Sequence, residues 1–165
     1  LIDTSFLTDS LLFRDLDETE RAQVLIIGQV RSYQPDEAIF REGDPGDGLF
    51  IVIKGTVRIS RQCTTGEEAL AILEPNAFFG EMALIDYMPR AASAISNEAS
   101  DLFFIPLKEL RTLIETHHPI ALKVLFALCE VLTQRLRETN DRYMSIFTIA
   151  QWGGGGLSNQ LIPLP

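Results

Sequence analysis

Residues 49–61 read Leu49-Phe50-Ile51-Val52-Ile53-Lys54-Gly55-Thr56-Val57-Arg58-Ile59-Ser60-Arg61. Leu49–Ile53 is an uninterrupted apolar run. Thr56–Arg61 alternates, with Val57 and Ile59 on one face and Arg58 and Ser60 on the other. Both are strand patterns. Lys54-Gly55, between them, reads as a tight hairpin turn. Just upstream, Glu42–Gly48 (E-G-D-P-G-D-G) is dense in turn formers. Ala69–Leu73, Ala91–Ser96 and Leu102–Ile105 supply further strand candidates. Short strands punctuated by turns from about Gln29 to Ile105 predict an antiparallel barrel or jelly roll, and no internal repeat is evident.

On either side the pattern is helical. Over residues 1–28, Asp17 and Glu20 have capping-box spacing, and Arg21–Ile27 adds helix formers with an apolar face. After Pro106, Leu107–Thr116 reads as one short helix. Pro119 suits the first position of the next, where a missing N–H costs nothing. That helix is expected to run to about Ile146, a length of ~40 Å at 1.5 Å per residue. Leu125, Cys129, Leu132, Leu136, Thr139, Tyr143 and Ile146 alternate steps of four and three, a heptad seam. Such a face packs either on the protein's own barrel or against a second copy in a homodimer. Gly153–Gly156 breaks regular structure, and Leu157–Pro165 reads as a tail or linker. The expected organisation is therefore helical residues 1–28, a β-roll over 29–106, C-terminal helices over 107–146 and a tail over 147–165. The fold class is α+β, mainly β: an antiparallel β-roll (double-stranded jelly roll) flanked by an N-terminal helix and a long C-terminal helix.

Composition narrows the function. The 165 residues include 46% hydrophobic and 22% charged side chains, the balance of a globular domain. With 14 basic against 23 acidic residues the net charge is -9, which argues against direct nucleic-acid binding by this chain. No apolar stretch reaches the ~18–20 residues of a membrane span. Two cysteines, Cys63 and Cys129, are too few for a secreted disulfide scaffold, so a reduced cytoplasmic location is expected.

One stretch carries chemistry: Phe79-Gly80-Glu81-Met82-Ala83-Leu84-Ile85-Asp86-Tyr87-Met88-Pro89-Arg90-Ala91-Ala92-Ser93. Gly80 permits close backbone approach. Glu81–Ile85 suits one helical turn, whose free N–H groups make an anion site. Arg90, flanked by the small residues Ala91, Ala92 and Ser93, offers a fork of donors suited to phosphate. Taken alone, such an arginine is ordinarily a solvated group or half of a weak ion pair, here with Glu81 as the obvious partner.

F-G-E-x-A-L, a short gap and P-R-A-A resembles the phosphate-binding cassette of the cyclic nucleotide-binding domain family. That family includes the catabolite activator protein, the regulatory subunits of cAMP-dependent protein kinase and nucleotide-gated channels. Ile39–Asp47 resembles the family's early strand and turn, Leu49–Gly55 with Val57 its next hairpin, and Leu70–Phe79 the approach to the cassette. Together the resemblance covers about Asp9 to Tyr143. It implies a β-roll sensor that binds a cyclic nucleotide and signals through its C-terminal helix. Glu81 would accept a hydrogen bond from the ribose 2′-hydroxyl, and Arg90 would pair with the exocyclic phosphate oxygens. The backbone N–H groups of Met82, Ala83 and Ala91 would complete the cradle, with Gly80 against the sugar. Phe79 and Ala92 belong to the same ligand-contacting set.

Relatives selective for cGMP often carry Thr just after the cassette arginine. Ala91 stands there, which resembles cAMP-type sites and favours cAMP over cGMP. Arg135–Asn140 resembles the helix segment that meets the base, making Thr139 and Asn140 candidate base contacts. The bland alternative is that Thr139 fills a seam position and Asn140 is solvated.

Competing classes lack their residues. A cupin-type metalloenzyme needs several His and a carboxylate converging on a metal. Only His117 and His118 exist, adjacent at a helix boundary. Neither cysteine has a ligand-spaced partner, and no G-x-S-x-G or P-loop motif occurs. No catalytic residue, metal site or cofactor is expected. Residues 147–165 are too short for a helix-turn-helix output domain, so the resemblance is to the sensor alone. The remaining alternative is a structural or dimerisation domain that keeps the fold without a nucleotide.

Overall fold

The structure, a computed structural model, describes residues 5–64 and 66–153. Two compact units divide the chain, the first ending at Ala127 and the second beginning at Leu128.

In the first unit, α1 (Ser5–Asp9) and α2 (Glu18–Ile27) precede the strands. The expected capping box is present. The Asp17 carboxylate accepts from Glu20 N at 2.9 Å, and the Glu20 carboxylate accepts from Asp17 N at 2.8 Å. Two first-turn donors are thereby satisfied. Glu20 also accepts from Lys123 Nζ at 2.6 Å.

Among the described residues eight strands follow: β1 (Gln29–Tyr33), β2 (Ala38–Phe40), β3 (Gly48–Lys54), β4 (Val57–Cys63), β5 (Gly66–Leu73), β6 (Phe78–Phe79), β7 (Ser93–Ser96) and β8 (Ser100–Pro106). They form two four-stranded antiparallel sheets, ordered β1-β8-β3-β6 and β2-β7-β4-β5. Phe50, Val52, Val57, Phe79, Ala94, Leu102 and Phe104 are the buried cluster between them. Leu49–Val52 is apolar at every position because both faces are covered. Phe50 and Val52 face the interior, while α1 and the helix after β8 lie against the strand as well. The same holds for β8, where Phe6 packs on Phe103 with ring centroids 5.1 Å apart.

Two expectations are corrected. Lys54-Gly55 is not a hairpin turn: β3 pairs with β6 and β8, whereas β4 pairs with β5 and β7. The dipeptide is a corner at which the chain changes sheets. Gly55 sits there at φ +81, where a Cβ would lie 2.7 Å from Ala99 O. The alternation of β4 also breaks. The register with β5 shifts between Ile59 and Ser60, so Ser60 is fully buried and donates to Glu67 at 2.5 Å. A bulge of this kind turns every later side chain to the other face.

Between β6 and β7 lies the short helix α3 (Met82–Ile85). β7 begins at Ser93, so Ala91 and Ala92 precede the strand that was expected to include them. α4 (Leu107–Thr116) matches expectation, burying Leu107, Leu110 and Leu113. α5 (His118–Gly153) starts one residue before Pro119 and continues past the expected end at Ile146, through residues assigned from sequence to the tail. All seven seam residues are exposed. The breaker residues after Gly153 and the segment Leu157–Pro165 lie outside the described residues. Among the described residues no helix is long and apolar enough to cross a membrane.

Candidate functional site

The site assembles where the turn over residues 42–48 meets the segment between α3 and β7. Two backbone bonds join them: Arg90 N donates to Asp44 O at 2.8 Å, and Gly43 N donates to Arg90 O at 2.9 Å. Within the turn, the Asp44 carboxylate accepts from Arg41 N at 2.8 Å. The dense turn formers therefore make a compact ledge against which Arg90 is pinned.

The Arg90 side chain is 3% exposed. Its Nη2 donates to Gly48 O at 2.7 Å and to Asp47 Oδ1 at 2.9 Å, and its Nη1 donates to Gly80 O at 3.1 Å. Cζ lies 4.1 Å from the centroid of the Phe40 ring and 5.9 Å from that of Phe50. The two rings give the cation a negative face. Burying a guanidinium is unfavourable unless it is paired and hydrogen-bonded. Here the carboxylate partner is itself 62% exposed, so its screened charge offsets only part of that cost. One donor is still unmatched: Arg90 Nε is buried without a protein acceptor among the described residues.

Glycine makes the close packing possible. Gly80 adopts φ +82, and a Cβ there would stand 2.6 Å from Arg90 Nη1. A Cβ on Gly46 would collide with the Cβ of Ala83. The cassette and the ledge thus touch through backbone.

Gly80 lies against Arg90 and Ala83 against Gly46 of the ledge, with Glu81 and Met82 between them in sequence. Glu81 is 4% exposed at the position before α3, with Ala83 buried and Met82 exposed beyond it. Ala91 is exposed and Ala92 half-buried. Phe79 faces the interior, stacked on Phe50 with centroids 5.2 Å apart and planes at 12°. Thr139 and Asn140 are exposed on α5 in the second unit, and the Thr139 hydroxyl donates to Arg135 O at 2.8 Å. Sequence reading assigned no role to Asp47, Phe40 or Phe50. The turn signal marked the loop holding Asp47, but its contact with Arg90 spans 43 positions.

A cleft of about 430 Å³ adjoins this site, between the Gly46–Asp47 turn and Leu107, Lys108, Arg111 and Glu115 of α4. It shares Asp47 with the Arg90 cluster.

Residues 30–117 match the family model of the cyclic nucleotide-binding domain. The chain is 37% identical over 132 residues to the cyclic AMP receptor protein of Thermus thermophilus, covering 79% of this chain and 59% of that protein. It is 34% identical over 96 residues to the cAMP-dependent protein kinase regulatory subunit of Mycosarcoma maydis, 58% of this chain and 18% of that protein. The chain spans less than two thirds of the length of either relative. Among solved structures, a cyclic nucleotide-binding domain from Methylobacillus flagellatus KT is similar with a TM-score of 0.79 and 27% identity, covering 86% of this chain and 83% of that one.

Proposed function

This chain belongs to the cyclic nucleotide-binding domain family, and from that premise we propose that Glu81 and Arg90 seat the ribose and phosphate of a cyclic mononucleotide, cAMP in preference to cGMP. The observation that carries the proposal is the buried Arg90 with its unmatched Nε–H. A buried donor without an acceptor costs ~1–3 kcal/mol. An exocyclic phosphate oxygen is an acceptor of the right charge, and the bond it forms is charge-assisted. Gly48 O, Gly80 O and Asp47 hold the two terminal nitrogens, so the guanidinium is fixed in place, with Nε–H still to offer, before the ligand arrives.

In this reading Glu81 accepts from the ribose 2′-hydroxyl, and the N–H groups of Met82, Ala83 and Ala91 line the phosphate. Ala91 supplies no hydroxyl to a guanine edge, which favours adenine by default. The assignments of Phe79, Ala92, Thr139 and Asn140 as ligand contacts rest on the resemblance. We further propose that the domain is regulatory and that α5 carries the output. The exposed seam along α5 supports pairing of two copies through that helix.

The test is calorimetric titration with cAMP and cGMP at several temperatures, beside Arg90→Ala. Truncating one partner of a buried charge pair costs ~2–5 kcal/mol, so a loss of about 30-fold or more is expected. A loss under about threefold, well below the scale of a charge-assisted bond, refutes phosphate pairing by Arg90. Silence from both nucleotides favours the ligand-free structural alternative. Unchanged hydrogen exchange over Ile120–Tyr143 at saturating cAMP refutes the α5 output.

A further inference from the structure

We propose that Arg111 is a positioning residue for this site, tying the cassette helix α3 to α4 so that the two move together. The inference rests on the cyclic nucleotide reading and concerns a residue argued to act through α3 and α4.

α3 is only four residues long, Met82–Ile85, so its C-terminal carbonyls find few partners within the helix. Asp86 N donates to Met82 O at 3.0 Å. The next two carbonyls are taken from outside: Arg111 Nη2 donates to Ala83 O at 2.6 Å and to Leu84 O at 3.2 Å. The same guanidinium lies 3.8 Å from the centroid of the Tyr87 ring. Tyr87 itself is held at φ 59, a conformation that a bulky side chain adopts only under restraint. One side chain on α4 thus clamps both the end of the cassette helix and the residue that turns the chain toward Arg90.

α4 is fastened to the site at a second point. Leu107 N donates to Asp47 O at 2.9 Å, and the Asp47 carboxylate accepts from Arg90. The first turn of α4 therefore touches the residue that holds Arg90, and its second turn holds the helix that follows Glu81. A shift of the cassette toward a bound phosphate must either break the Arg111 contacts or carry α4 with it. Breaking them strands two carbonyls and a cation, so carrying is favoured.

The experiment uses the chain as it stands, with cAMP as the probe. Hydrogen exchange is followed over residues 82–88 and 107–116, and affinity is measured by titration, for wild type, Arg111→Ala, Arg111→Lys and Tyr87→Leu. Without nucleotide, Arg111→Ala is expected to speed exchange in the cassette. With cAMP, wild type should gain protection in both segments, and Arg111→Ala in the cassette alone, with affinity weakened about 2- to 30-fold. Arg111→Lys keeps the charge but not the fork or the stacked plane, so partial rescue is expected. Tyr87→Leu removes only the ring and serves if Arg111→Ala fails to fold. Should wild type bind cAMP while every variant responds in α4 as wild type does, the tie is refuted and the site reading stands. If wild type binds neither cAMP nor cGMP, the site reading fails and this inference falls with it.

Discussion

Gly80→Ala tests the site at its tightest contact. The added Cβ would stand 2.6 Å from Arg90 Nη1 and 3.0 Å from Gly48 O, at a backbone φ of +82. Two costs follow. Holding a non-glycine residue at such a φ costs ~1–3 kcal/mol. Restoring an ordinary separation of ~3.5 Å forces the guanidinium back by about 1 Å. That retreat lengthens the 3.1 Å bond to Gly80 O and the 2.7 Å bond to Gly48 O. Losing one charge-assisted bond is worth ~1.5–3 kcal/mol, or about 10- to 150-fold in affinity if the phosphate depends on the position of Arg90. Strain alone should lower Tm by about 2–4 °C per kcal/mol for a chain of this size. Thermal unfolding reads the strain and cAMP titration reads the retreat. A double-mutant cycle separates them, because the affinity cost should vanish when Arg90 is already alanine, while the loss in Tm persists. A variant that melts lower but binds cAMP within about twofold of wild type, far below one charge-assisted bond, would refute the claim that Arg90 meets the phosphate from this position.

Three further outcomes are expected. Asp47→Asn leaves Arg90 buried without its carboxylate; because Asp47 is 62% exposed the loss should be near 1 kcal/mol, a fall of about 2–4 °C in Tm that saturating cAMP restores. An unchanged Tm would mean that the carbonyls alone hold Arg90. Asp17→Ala removes the cap of α2 and should cost ~1 kcal/mol by chemical denaturation, leaving cAMP affinity unaltered; a cost near zero would show the box to be redundant. The Glu67 carboxyl is held below its ordinary range chiefly by the Ser60 hydroxyl, with Arg58 adding to it. A carboxylate lowered on folding contributes stability above its unfolded value and loses it as pH falls through the folded value. Tm measured from neutral to acid pH should therefore fall less steeply for Glu67→Gln than for wild type, and identical slopes would remove Glu67 from the acid response.

The strands were legible where burial is two-sided or regular. Leu49–Ile53 announced itself by apolarity because helices cover one face and the opposite sheet the other. The Lys54-Gly55 corner was misread because a tight turn and a change of sheet ask the same thing of sequence, a glycine free to take positive φ. What separates them is the pairing of β3 with β8, nearly fifty positions on, which local pattern does not carry. Ser60 was misplaced because a bulge shifts the face without changing composition. At the site, Arg90 stood out through its small neighbours. Asp47 and Arg111 did not: one looked like a turn acid and the other like any arginine on a helix, and each acts through a residue distant in sequence.

The pairing order that misled the hairpin reading also governs how the chain reaches this structure. Among the strand pairs of the described residues only β4 with β5 is local; β1 and β3 both wait for β8, and β2 and β4 for β7. A chain emerging from the ribosome has made its ledge, its Phe40 and its cassette before the strand that closes the first sheet exists. Folding should be slow, on the ms–s scale of domains dominated by distant contacts. The apolar run Leu49–Ile53 stays open to wrong partners throughout. Truncation before Ser100, which removes β8, would therefore abolish the whole roll rather than trim its edge.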